Sequence, residues 1–251
     1  SGTMTGGSSF YNLTFNGSGG GWTNSNDILV LNDLEVKAGT YTQANTLTIN
    51  GALSNNGGVF TSSAGTVIMD PSNLFNNINI AGTTGITFYN LTNTTAGSNM
   101  KFKNGNTYLV GGALTLTGED GNPINLNSDV DGSEWFITFS GTASVTHTKI
   151  KDSECTGGSN ITLGITAKDY GNNGNCWVFV SVTVHRGGSG NIEESATPDA
   201  PVTGGQGGGE GGGNDGQGGE GQGGGQGGGQ GGGGAGDLGF IYRFNTLAYA
   251  G

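Results

Sequence analysis

Positive charge, helix-forming residues and long apolar runs are all scarce in this 251-residue chain. Lys and Arg number 8 against 19 Asp and Glu, a formal net charge of −11. Affinity for nucleic acid rests on clustered Lys and Arg, so no nucleic acid partner is expected. Charged residues make up 11%, where an average domain carries about 25%. Ala, Leu, Glu, Lys and Arg, which build solvated helices, are thin throughout, and this excludes an ordinary helical or α/β enzyme. No apolar run approaches the ~20 residues of a membrane-spanning helix. The only cysteines are Cys155 and Cys176 and the only histidines His147 and His185, too few to suggest a zinc site. The chain opens at Ser1 without an initiator Met or an apolar leader, which reads as a processed or excised chain.

What is abundant is small or polar: 55 Gly, 30 Thr, 28 Asn and 19 Ser. Composition divides the chain into a Thr/Asn/Gly-rich body at 1–186, a Pro/Gly-rich extended linker at 187–236 and an apolar end at 237–251. Of the 33 residues from Gly204 to Gly236, 23 are Gly. Such a stretch has no core of its own and reads as a solvated tether. The segment Glu193 to Pro201 before it reads as an extended spacer, because each Pro pushes its neighbour out of the helical region.

Within the body, short runs of alternating apolar and polar residues recur, among them Phe10 to Phe15, Thr46 to Asn50, Leu114 to Thr117, Trp135 to Phe139 and Trp177 to Val184. Gly, Asn, Asp or Ser bounds each one, as strands separated by tight turns require. No window shows a capped 3.6-residue period, so the body is expected to be all-β. Phe10-Tyr11-Asn12-Leu13-Thr14 recurs as Phe88-Tyr89-Asn90-Leu91-Thr92, an offset of 78 residues. The strand groups between them fall at intervals of roughly 18 to 22 residues, so four coils fit the offset. Coils this short bury a core only when stacked, as in a parallel β-helix, and stacked turns allow polar residues to form hydrogen-bonded ladders. This reading places Phe10 and Phe88, and likewise Leu13 and Leu91, in corresponding inward positions. The rival is a β-sandwich, which also spaces strands at about 8 to 12 residues.

The strings FYNLTFNGSGGGWT, LEVKAGTYTQANTLTINGAL and GTASVTHTKIKDS, with GNNGNCWVF closing the body, resemble right-handed parallel β-helix domains of large secreted and surface proteins of bacteria. The resemblance spans roughly residues 8 to 180 and implies a β-solenoid. It implies little about function.

In a solenoid, Cys155 and Cys176 lie about one coil apart and return to within disulfide range. The alternative is two unpaired buried thiols. A disulfide points to an oxidising compartment, extracellular or at the cell surface. Asp129, Asp131 and Glu134 on a Gly-containing turn offer oxygen ligands that suit calcium, or else form an ordinary acidic turn; no other cofactor is expected. Trp22, Tyr41, Trp135 and Trp177 either fill the interior or form a sugar-stacking platform. Asp152 and Glu154 point to one side of a strand, and His147 is read as a strand residue without a catalytic partner. Arg186 and Arg243 both lie outside the repeats, and no second carboxylate pair with an obvious partner stands out, so polysaccharide cleavage ranks last and the chain is not expected to be an enzyme. Five Asn-x-Ser/Thr sequons, at Asn12, Asn16, Asn90, Asn93 and Asn160, are the number chance would give.

The apolar end places Leu238, Phe240, Tyr242 and Phe244 on one strand face, with Ile241, Leu247 and Tyr249 beside them. A tethered apolar strand suits capping its own body, pairing with a neighbouring subunit or anchoring to another wall protein. The leading expectation is therefore a self-associating extracellular structural subunit, a homopolymer linked through this strand. The alternatives are an adhesin or receptor-binding fibre module that recognises a glycan or a cell-surface protein and, last, an enzyme acting on polysaccharide.

Overall fold

The structure, a computed structural model, describes residues 2–4, 7–71, 77–186 and 192–198. The chain divides into two units, Ser1–Gly205 and Gln206–Gly251, and every described residue falls in the first. The Gly-rich linker and the end strand with Leu238, Phe240, Ile241, Tyr242, Phe244, Leu247 and Tyr249 lie outside the described residues.

Alternation of side chains generates the architecture. Thr66–Met69, Asn99–Phe102 and Ala113–Thr117 each bury every second residue, as strands with one buried face must. These strands do not meet as hairpins. Each pairs in parallel with the equivalent strand one turn on, so that like stacks on like: Leu34 on Leu53, Leu53 on Ile80 and Ile80 on Phe102 up one wall. The result is an all-β parallel solenoid of about seven turns, consistent with a right-handed β-helix. Pairing within the coils is parallel throughout, which removes the β-sandwich alternative.

Three walls enclose the interior, formed by a ten-stranded, a seven-stranded and a four-stranded sheet. In the first turns the long strands Leu13–Asn24 and Leu34–Gln43 bend at a corner and serve two walls in succession. Turn length varies from 16 residues, as from Ile161 to Trp177, to 29, as from Ala113 to Thr142.

The repeated Phe-Tyr-Asn-Leu-Thr string does not mark corresponding positions, contrary to the expectation from its offset. Phe10 lies in the seven-stranded sheet and Phe88 in the four-stranded one; Leu13 lies in the ten-stranded sheet and Leu91 in the seven-stranded one. Four turns above Ser8–Phe10 comes Asn90–Asn93. What recurs is corner chemistry. In both copies an inward Phe ends one strand, an exposed Tyr rounds the corner, and an inward Leu enters the next. The Asn between Tyr and Leu bonds to the turn above: Asn12 Oδ1 accepts from Asn32 Nδ2 at 2.9 Å, and Asn90 Oδ1 from the Ala113 amide at 2.7 Å.

Asn ladders of the kind the composition suggests are present. Asn99 Nδ2 donates to Asn77 Oδ1 at 3.1 Å and Asn127 Nδ2 to Asn99 Oδ1 at 2.8 Å. Inside, aromatic rings pack in two series, Phe15–Tyr41–Phe60–Phe88 and Phe102–Trp135–Trp177, with Tyr108 edge-on to Phe102 and Trp135. Each fully buried Leu, Ile or Phe contributes about 1.5–3 kcal/mol to holding the turns together.

A separate two-stranded sheet follows the coils. Val180–Arg186 pairs antiparallel with Ile192–Pro198, so the extended segment after residue 191 is half of a hairpin.

Candidate functional site

The last two coils are joined by a covalent bond as well as by hydrogen bonds. Cys155 and Cys176 form a disulfide across 21 residues of sequence, with Cα atoms 6.0 Å apart. Immediately before it, Asp152 occupies a corner with φ of 57°, a conformation Asp and Asn tolerate better than other side chains. Asp152 is therefore a corner residue, not a strand residue aligned with Glu154. It is buried, and its carboxylate accepts from the Gly132 amide at 3.1 Å and from Asn172 Nδ2 at 3.0 Å, joining the turn below to the turn above. Glu154 accepts from the Cys155 amide at 2.7 Å. Both carboxylates thus hold backbone or neighbouring corners.

The Gly171-Asn172-Asn173 turn completes the bracing: Asn173 Nδ2 donates to the Ile150 carbonyl at 2.7 Å, and Asn173 Oδ1 accepts from the Ser153 amide at 3.1 Å. Trp177 is buried over Trp135, its indole N–H bonded to Ser153 Oγ at 2.9 Å. His147, expected within a strand, instead sits at the corner between Thr142–Thr146 and Thr148–Ile150 with φ of 48°, its amide bonded to Thr166 Oγ1 at 2.8 Å.

The acidic turn does not converge on a metal position. Asp129 accepts from the Asn104 amide at 2.7 Å and from Lys103 Nζ at 3.1 Å, while Asp131 pairs with Lys151. No group of three or more His, Cys, Asp or Glu is arranged to hold a metal among the described residues. Asp129, Asp131 and Glu134 are thus not brought together as a calcium site, because lysines of the same wall take two of the three carboxylates.

Of the four large aromatics, Tyr41, Trp135 and Trp177 are buried, and Trp22 is half-buried against Phe15. They line the interior and offer no platform to solvent. Burial pushes the Tyr108 phenol up to about 12, its hydroxyl donating to the Ile80 carbonyl at 2.8 Å. Tyr41 is raised further by burial alone, and its hydroxyl has no hydrogen-bond partner. The pocket at the centre of the coils is lined by apolar and aromatic side chains such as Met100, Phe102, Leu126 and Trp135, with no carboxylate or histidine among them.

Strand edges are left open at both ends of the stack: among the described residues Lys168–Asp169 and Ser153–Gly158 in the last coils pair on one side only, and so do strands of the first coil. Among the described residues, Ser8–Phe10 pairs only with Ile28–Val30, and Leu13 to Phe15 only with Leu34 to Val36, leaving one backbone edge of each without a partner strand. Phe10, Leu13 and Trp22 pack against the core there but are only partly covered. Nothing in the sequence marks this partial exposure, since the alternation around Phe10 to Phe15 is as regular as elsewhere.

Comparison of the chain with family models, with curated proteins and with solved structures gives no match. What defines the class is the fold itself, a disulfide-bonded parallel β-solenoid. Among the described residues no helix is long and apolar enough to cross a membrane. The disulfide fits an oxidising, non-cytoplasmic compartment.

Proposed function

We propose that this chain is a non-catalytic, extracellular structural subunit that self-associates into a filament or surface layer, with the Leu238 to Tyr249 strand as the connector. The observation that carries this reading is the edge of the first coil: Gly2–Met4 covers it at Trp22 to Asn24, but along Ser8–Phe10 and Leu13 to Phe15 it has no partner strand among the described residues, and Phe10 and Leu13 remain partly uncovered there. Open strand edges template pairing with another chain. The connector has the matching alternation, Leu238, Phe240, Tyr242 and Phe244 at every second position, and strand addition to a sheet edge supplies main-chain hydrogen bonds plus pockets for alternate side chains. The Gly-rich tether, as a random coil of 33 residues, spans about 32 Å, enough to reach a neighbouring subunit.

Electron microscopy of the purified chain over a concentration series tests the proposal. Ordered polymers that lengthen with concentration are expected; a uniform population of single solenoids at all concentrations contradicts it.

A second reading, an adhesin or fibre module that recognises a glycan or cell-surface protein, draws on a different observation. Five of the six lysines, at 101, 103, 149, 151 and 168, gather on or beside one wall of the later coils.

A further inference from the structure

The outer surface of the ten-stranded sheet differs from the rest of this acidic protein. Register aligns Asn77, Asn99, Asn125, Lys149 and Lys168 in one column over five successive strands. Parallel to it runs a second column in which Lys101 lies between Asn79 and Asn127. Strand spacing of about 4.8 Å and a separation of about 6.6 Å between alternate residues make this a flat grid of ammonium and amide groups.

Charge on the grid is only partly neutralised. At its corner Lys103 is matched by Asp129 and Lys151 by Asp131. Lys101, Lys149 and Lys168 have no carboxylate within ion-pair distance among the described residues. An exposed aromatic completes the set: Tyr170 lies beside the column with Lys149 Nζ 4.7 Å from its ring centre. A chain carrying −11 overall thus keeps three unmatched cations in one place, interleaved with neutral hydrogen-bonding groups.

We infer that this wall is a binding surface for a carboxylate-bearing polysaccharide, the polymer lying across the strands with its acidic groups at Lys101, Lys149 and Lys168. The inference rests on the adhesin reading and gives it a site and a ligand class. The cations are widely spaced and all lysine, compact point charges without the bidentate fork by which Arg grips phosphate and sulfate. Amide side chains between them supply donors and acceptors for sugar hydroxyls, and Tyr170 presents an apolar ring face with a polar tip. A polymer of low charge density, with hydroxyls between its carboxylates, matches that pattern. A densely charged polyphosphate does not.

Affinity electrophoresis of the full chain through gels containing polygalacturonate, neutral dextran or polyphosphate tests the assignment. Retardation is expected in polygalacturonate alone, weakening as salt screens the contacts. The triple variant Lys101→Gln, Lys149→Gln, Lys168→Gln should lose about tenfold in affinity, three exposed charge contacts together, while K37Q on the lower coils should change nothing. Unchanged tryptophan fluorescence and melting temperature identify variants that keep the fold, and Y170A provides an independent, charge-neutral test of the same surface. Equal retardation of wild type and triple variant overturns the inference, as does retardation by polyphosphate as strong as by polygalacturonate. Retardation in dextran without any in polygalacturonate overturns it too, but leaves the adhesin reading standing; no retardation in any gel overturns the inference and removes the support for that reading.

Discussion

Trp177 donates its indole N–H to the Ser153 hydroxyl at 2.9 Å, one coil to the next, with Cys155 and Cys176 bonded alongside. Both partners of this hydrogen bond are buried, so the final turn is locked to the one beneath it by a covalent bond and a polar bond in the same small volume. Trp177→Phe leaves the Ser153 hydroxyl buried without its donor, and Ser153→Ala leaves the indole N–H without its acceptor. Each is expected to cost about 1–3 kcal/mol. The double variant should cost less than the sum of the two, because the second change removes a group already orphaned. Urea denaturation of the four proteins checks this.

Reduction of the Cys155–Cys176 bond should lower stability by roughly 3 kcal/mol in the chain-entropy description of a loop this size. Thermal melts with and without reductant should differ, and Cys155→Ala with Cys176→Ala should melt like the reduced wild type. Thiol titration of the unreduced, denatured chain should find none.

Tyr41 and Tyr108 make a matched pair for the value of a partner. Both are fully buried, but only the Tyr108 hydroxyl is satisfied, by the Ile80 carbonyl and the Lys103 amide. Tyr108→Phe is expected to destabilise by about 1–2 kcal/mol, whereas Tyr41→Phe should be neutral or stabilising, since it removes a desolvated hydroxyl that bonds to nothing.

The same two phenols set an alkaline limit. Burial raises both above their ordinary value, that of Tyr108 to about 12. Above pH ~10 the unfolded chain releases these protons while the folded chain retains them, so the unfolded state binds fewer protons and stability falls as pH rises. The loss runs from about pH 10 through the folded value, at up to ~1.4 kcal/mol per pH unit for each tyrosine. Ultraviolet titration should show these two ionising only with unfolding, and Tyr41→Phe should shift the alkaline midpoint upward.

Strand positions, parallel stacking and the disulfide were legible because each depends on a local or one-coil relation: alternation in Thr66–Met69, or 21 residues between Cys155 and Cys176. The 78-residue offset misled because a corner is encoded by its own few residues and serves any corner of the prism. Counting whole turns also failed where insertions lengthen them, as at Gly118 to Pro123, where Glu119 and Asn122 form a small bridge of their own. Nothing in an alternating pattern announces the left-handed corners at His147 and Asp152, which pass for strand residues in the sequence. The lysine wall had no signature at all. Lys101, Lys149 and Lys168 are far apart in sequence at unequal spacing, and only register gathers them.

Deletion of residues 237–251 tests the central claim, that subunits are linked through the end strand, most directly. Sedimentation velocity of intact and truncated chains at matched concentrations should show assembly in the first and a folded monomer in the second, and excess peptide of residues 237–251 should block assembly of the intact chain. A truncated chain that forms the same polymer, unaffected by the peptide, would contradict the account and leave the apolar end as no more than a cap.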